Sequence, residues 1–351
     1  MTKKLLLTLI FCLVLGAFRL YTGQAQEEPK YVGSEVCFIC HSDTSKTWTH
    51  SVHRRTLFNK DPDKNGCESC HGPGGAHVEG GGDINKVIRP QQLAPSKMAD
   101  ICLKCHTGEH VTLWQTSAHA RAKVSCIKCH DVHSSGEKSL LGDVENAKLA
   151  VEGLTRAIKQ TDMASNTAPA GSEEKLAANK KVKELLAELD AAKKQLKGAE
   201  TAYRRTAEPY VCYDCHKSQE VQSKMPSHHP IMEGKVKCSD CHNPHGGPNG
   251  MLEQETVNET CYKCHADKGG PFTFEHPPVT EDCTSCHRPH GSVNNNLLAQ
   301  SQPFLCLRCH PGPHSRSGTL GNPVEVARYY TECTDCHNQI HGSDTRFSFR
   351  H

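Results

Sequence analysis

Twenty of the 21 cysteines in this 351-residue chain fall in ten copies of one pattern, Cys-x-x-Cys-His. The pairs are Cys37 and Cys40, Cys67 and Cys70, Cys102 and Cys105, Cys126 and Cys129, Cys212 and Cys215, Cys238 and Cys241, Cys261 and Cys264, Cys283 and Cys286, Cys306 and Cys309, and Cys333 and Cys336. The histidines that follow are His41, His71, His106, His130, His216, His242, His265, His287, His310 and His337. Two thiols at this spacing reach the two vinyl groups along one haem edge and form thioethers. The adjacent imidazole then lies under the iron as its proximal ligand. Disulfides, zinc ribbons and thioredoxin-type pairs also use Cys-x-x-Cys, but none of them requires a histidine after every pair. The pattern predicts ten covalently bound haem c groups.

Fourteen of the 24 histidines remain. Read in units of two motifs, one histidine precedes the second motif and another follows it. In order these are His53 and His77, His119 and His133, His229 and His245, His276 and His290, and His314 and His341. Five units with two such histidines each supply one distal ligand per iron. The segments Trp48 to His53 and Trp114 to His119 share W-x4-H, with a serine two residues before the histidine, which marks a true internal repeat. His50, His110, His228 and His351 are surplus and read as solvated or supporting residues, with His50 and His228 close enough in sequence to be rival ligands. Methionine is an axial ligand in some cytochromes, but histidine is in surplus here.

Three motifs carry their second histidine three residues after the first, as in CTSCHRPH (283–290). Three residues span about 10 Å at most. The proximal histidine already occupies one face of the porphyrin, and so short a chain cannot pass around the rim to the other. His290 is therefore expected to reach a different iron, with Pro289 stiffening the link.

These residues need elements to hold them, and the composition limits what those can be. Only 36% of the chain is hydrophobic and 5% aromatic, too little for ordinary side-chain cores. Macrocycles would supply the missing interior, and their covalent attachment restricts the unfolded chain much as disulfides do. The linking segments are rich in Gly, Pro, Asn and Asp, which reads as loops and short helices. Residues 135–207 differ, with no Cys or His and a heptad of Val182, Leu189, Leu196 and Tyr203 beside Leu185, Ala192 and Ala199. Val151, Leu154 and Ile158 suggest a preceding helix, and SNTAPAGS (165–172) a turn between the two. The expected fold is a multihaem cytochrome c: elongated, mostly irregular, with short α-helices wrapped around ten haems and an inserted antiparallel helical hairpin. That hairpin is either a spacer or a docking element.

The N-terminus has Lys3 and Lys4, an apolar run from Leu5 to Phe18, and small residues ending at Ala25. That is the plan of a secretory signal peptide. The apolar run is shorter than the roughly 20 residues a spanning helix needs, and Cys12 lacks a lipidation context. Losing Lys3, Lys4 and Arg19 takes a formal charge of +2 to −1, which leaves no basic surplus for nucleic acid. The expected division is 1–25 signal peptide, 26–134 haems 1–4, 135–207 hairpin, and 208–351 haems 5–10.

From residue 208 onward the chain resembles the MtrA/DmsE family of decahaem periplasmic cytochromes. The likeness is carried by HHPIMEGKVKCSDCHNPHG (228–246), CYKCHADKGGPFTFEHPPVTEDCTSCHRPHGSVNNNLL (261–298) and CTDCHNQIHGSD (333–344). CESCHGPGGAH (67–77) and the W-x4-H segments extend it more loosely to the N-terminal motifs. The resemblance implies a wire of bis-His haems seated in an outer-membrane β-barrel porin, carrying electrons between periplasm and cell exterior. It implies other multihaem cytochromes as donor and acceptor, membrane association through the partner only, and a direction of flow that differs among members. Residues 135–207 depart from the family pattern. No motif replaces its histidine by lysine, as catalytic haems of nitrite reductases do, so an electron carrier is expected rather than an enzyme. The competing classes are a reductase of nitrite- or sulfite-like substrates and a polymerising surface cytochrome.

Overall fold

Every Cys-x-x-Cys-His motif closes the same turn. The histidine N–H donates to the carbonyl of the first cysteine at 2.9 to 3.0 Å in all ten. This bond to the fourth residue back is the helical one, and it brings the first cysteine and the histidine to one side of the turn. The structure, a computed structural model, describes residues 30–134, 137–310 and 331–350. The expected signal peptide, Cys12, His314 and His351 lie outside the described residues.

The helices that position the site are α1 (Ser34–Cys40), α2 (Pro95–Leu103), α3 (Glu137–Thr167), α4 (Glu173–Arg204), α5 (Tyr210–Tyr213), α6 (Val257–Tyr262) and α7 (Phe304–Leu307). Five of them, α1, α2, α5, α6 and α7, carry the first cysteine of the odd-numbered motifs. The even-numbered motifs begin on a one-turn helix at Glu68–His71 or on 3-10 turns at Cys126–Lys128, Cys238–Asp240, Cys283–Ser285 and Cys333–Asp335. Local sequence sets these starts. Pro95 opens α2. Thr256 and Glu259 form a reciprocal capping box on α6, each side chain accepting the other's backbone N–H at 3.0 Å. Among the described residues there is no β-strand, only isolated bridges such as Ser227 with Ser292 and Phe274 with Ser343.

A polar side chain just upstream of each of four odd motifs reaches over to the even motif that follows. Ser34 Oγ accepts from Cys67 N at 2.9 Å, and Asn258 Oδ1 from Cys283 N at 2.9 Å. Glu208 Oε2 accepts from Ser239 N, and Gln302 Oε1 from Thr334 N, both at 3.1 Å. These bonds satisfy N–H groups that the first turn leaves without an internal partner, and they join two motifs into one unit.

The described residues form two compact units, one of 30–42 and 54–90, the other of 43–53 and 91–350. In the first, the Glu68 side chain is buried and both its oxygens accept backbone N–H groups. Oε1 takes Val32 and Gly74 at 3.0 and 2.7 Å, and Oε2 takes Gly33 at 2.8 Å. In the second, α3 and α4 pack along one another with Leu140, Val144, Leu185, Leu189 and Ala192 buried. Elsewhere among the described residues the buried apolar side chains are Trp48, Met98, Ala99, Trp114, Ala207, Pro209, Tyr213 and Pro303. That is too small a set to form a side-chain core for the motif-bearing segments. The turn expected at 165–172 is shorter than the sequence suggests, because α3 continues to Thr167. Ser165 is buried and donates to Asn179 Oδ1 at 2.8 Å, which holds that last turn helical. Among the described residues no helix is long and apolar enough to cross a membrane.

Candidate functional site

Among the described residues, eight motif histidines face a histidine from elsewhere in the chain. His41 faces His77 at 6.4 Å between ring centroids, His106 faces His53 at 6.0 Å, and His130 faces His245 at 5.8 Å. His216 faces His119 at 6.0 Å, His242 faces His290 at 5.9 Å, and His265 faces His229 at 6.3 Å. His287 faces His341 at 6.2 Å and His310 faces His276 at 6.1 Å. The interplanar angles run from 11° to 72° while the separation hardly changes. Ring-on-ring contact would tie distance to angle. Two imidazoles on one metal ion would not, since each can turn about its own bond. At about 2 Å per metal–nitrogen bond the centroids of such a pair lie roughly 6 Å apart. The donor set fits a haem iron held between two imidazoles.

The second imidazole nitrogen of several of these rings, and of two further motif histidines, is also fixed. Nδ1 of His77 donates to Asp83 O at 2.8 Å, and that of His287 to Asn296 O at 2.9 Å. His71 and His337 donate to Ile88 O and Ser348 O at 2.9 and 2.6 Å. A carbonyl can only accept, so each Nδ1 carries the proton and Nε2 keeps its lone pair for metal. Burial lowers the pKa of His53, His245, His290 and His341, which favours the neutral, ligating form.

Four of these bonds share one logic. His119 donates to Pro244 O at 2.9 Å, His229 to Pro289 O at 2.7 Å, and His276 to Ile340 O at 3.0 Å. His53 bonds the backbone of Val132. In every case the acceptor is the residue just before another expected distal histidine: His245, His290, His341 or His133. The straps cross closely. Ser227 and Ser292 exchange backbone bonds of 3.1 and 2.8 Å, as do Phe274 and Ser343 at 2.8 and 3.0 Å. The glycine after the histidine permits this. Gly291 has φ +153°, and a Cβ there would stand 1.9 Å from Gln222 O. Gly342 has φ +148°, with the Phe272 ring 2.0 Å from the same position.

The cysteines meet in a regular order. Within units, the first cysteines are neighbours: Cys37 and Cys67, Cys102 and Cys126, Cys212 and Cys238, Cys261 and Cys283, and Cys306 and Cys333. Between units, the second cysteines are neighbours: Cys129 with Cys215, Cys241 with Cys264, and Cys286 with Cys309. From the third motif to the tenth, the attachment points therefore follow one another in sequence order.

Residues 228–270 and 276–314 match the doubled CXXCH motif family, and residues 67–152 match the NrfB-like cytochrome c-type protein family. The multiheme cytochrome MtrA of Shewanella baltica (strain OS185) is 31% identical over 325 residues, covering 89% of this chain and 79% of the relative. The chain belongs to the MtrA family of multihaem cytochromes. As an MtrA-like cytochrome it binds haem c covalently through its Cys-x-x-Cys-His motifs and transfers electrons.

In this MtrA-like chain the sequence points to His229 as the ligand, with His228 surplus but a rival. The structure places His229 opposite His265. His228 bonds Met225 O through Nδ1 and Glu233 Oε1 through Nε2 at 3.2 Å. His50 Nδ1 bonds Lys46 O at 2.7 Å. Sequence reasoning missed the backbone acceptors Pro244, Pro289 and Ile340, whose only signal was their fixed place before a histidine. The repeated tryptophans prove to be packing residues: Trp48 and Trp114 are buried, and Trp114 lies edge-on to His245 at 6.1 Å.

Proposed function

We propose that the protein is a decahaem electron carrier in which every iron is held by two histidines. The observation that carries this is the set of eight His–His pairs at 5.8 to 6.4 Å, with His71 and His337 as the remaining proximal ligands and His133 and His314 as the remaining distal ones. Haem supplies one-electron exchange between ferric and ferrous iron. The chain holds those imidazoles that bond a backbone carbonyl in the ligating tautomer, would offer each iron two histidines and so leave no place for small molecules, and sets the order of the attachment points from the third motif to the tenth. Residues 137–204 form an antiparallel helical hairpin between the fourth and fifth motifs, a spacer or a docking element.

The site of action follows from the family reading: an exported periplasmic protein held at the outer membrane by a β-barrel porin, exchanging electrons with other multihaem cytochromes on either side. The carrier reading predicts about ten haems per chain, an all low-spin ferric spectrum and no carbon monoxide binding on reduction. A single iron that binds carbon monoxide in the native protein would instead mark a reductase. Co-purification with a barrel protein from outer-membrane extracts tests the location, and its absence there refutes it.

A further inference from the structure

Glu208 and Gln302 stand at the same place in two of the paired units. Each lies four residues before the first cysteine of its unit, in EPYVC and QPFLC, and each precedes a buried proline. Both are half-buried, and both reach to the residue after the first cysteine of the following motif. Glu208 Oε2 accepts from Ser239 N at 3.1 Å and from Ser239 Oγ at 3.2 Å. Gln302 Oε1 accepts from Thr334 N at 3.1 Å and from Thr334 Oγ1 at 3.2 Å, and its Nε2 contacts the same hydroxyl at 2.9 Å. A neutral amide thus does the capping in one unit where a carboxylate does it in the other. Capping alone does not require the charge.

We infer that Glu208 is a fixed negative charge that lowers the reduction potentials of the two haems attached at Cys212 and Cys215 and at Cys238 and Cys241. Gln302 leaves the haems at Cys306 and Cys309 and at Cys333 and Cys336 without that bias. This rests on the electron-transfer reading above. Reduction removes one positive charge from the iron, so a nearby carboxylate favours the ferric form. Glu208 lies four residues before Cys212 and its carboxylate accepts from Ser239 N, next to Cys238, the two cysteines that would join the porphyrins to the chain on this side. The second motifs do not distinguish the units, since CSDCH has Asp240 where CTDCH has Asp335, but the first motifs do, with Asp214 in CYDCH where CLRCH has Arg308; exchanging residue 208 or 302 within its own unit isolates the one charge. Glu208 is a positioning and tuning residue whose structural part a glutamine reproduces.

The test uses the full-length, haem-loaded protein and the exchange variants Glu208→Gln and Gln302→Glu in spectroelectrochemical titrations. Glu208→Gln is expected to keep the haem content and low-spin spectrum and to move two of the haem components upward. Gln302→Glu moves two downward. Each shift corresponds to about a threefold to tenfold change in the reduction equilibrium, tenfold being about 59 mV for one electron. The shifts shrink as salt is raised, because the carboxylate is only half-buried. A Glu208→Gln curve superimposable on wild type, with haem content intact, overturns the inference and leaves a cap only. If Gln302→Glu does not assemble, Glu208→Asp decides: it keeps the charge and must titrate as wild type where Glu208→Gln does not. A native protein with an open iron or fewer haems sinks the carrier reading instead.

Discussion

Replacing His290 by alanine is the sharpest probe of the crossed arrangement. The structure sets its ring 5.9 Å from that of His242 and gives His287, in the same motif as His290, a different partner, His341. His290→Ala should therefore open the iron over His242 and leave the iron over His287 closed. The reduced variant should bind one carbon monoxide per chain, about a tenth of the haem complement, where wild type binds none. An iron held between the two rings would also tie residue 242 to residue 290, closing a loop of about 48 residues. The chain-entropy expression puts the constraint at about 4 kcal/mol, a ceiling on the stability lost in chemical denaturation. To show which iron opens, the same substitution is made in a Cys283→Ala/Cys286→Ala background, which lacks the haem of the histidine's own motif. One carbon monoxide site should still be gained there. A variant that gains a site in the full protein but none in that background would mean that His290 serves its own haem, and the reach argument would fall with the pairing.

Other substitutions test the elements around the rings. Gly291→Ala sets a Cβ against the Gln222 carbonyl, so the strap must shift, and we expect a carbon monoxide-reactive fraction and a lowered melting temperature. His229→Ala should open one iron and His228→Ala none, as read by the same carbon monoxide titration; equal effects would refute the assignment. Glu68→Ala leaves the N–H groups of Val32, Gly33 and Gly74 without their acceptor. It should cost about 3 kcal/mol in denaturant unfolding, with Glu68→Gln recovering part of it.

The sequence made the inventory legible but not the wiring. Twenty cysteines and ten adjacent histidines announce attachment because thioether and proximal bonds form within five residues, where spacing alone fixes geometry. The distal partners are another matter. His119 faces His216 across 97 residues that include α3 and α4, and no periodicity in the chain records that meeting. Chain reach excludes His290 from its own iron, yet it cannot choose His242. The sequence favours His229 with its neighbour His228 kept as a rival, and the turn after Met225 directs the His228 ring to a carbonyl instead. The heptad of Leu185, Leu189 and Ala192 was readable because a long helix repeats its buried face, whereas the helical state of Ser165 depends on a bond to Asn179 in the next helix. Glu208 and Gln302 carried no signal of their own, since a cap on a 3-10 turn 31 or 32 residues downstream leaves no local pattern.

The crossed partners also bear on how the molecule is made. A chain synthesised N-terminus first presents His130 long before His245 arrives, His242 before His290, and His287 before His341. The rings His53, His119, His229 and His276, in contrast, precede the motifs they face and wait for them. At each stage of synthesis the leading portion is closed behind and open at its growing end. The last even-numbered motif on the emerged chain stands exposed until the following pair is delivered. Chains cut between pairs should therefore be marked by a single reactive iron at the cut. A cell could recognise an unfinished copy by that one centre.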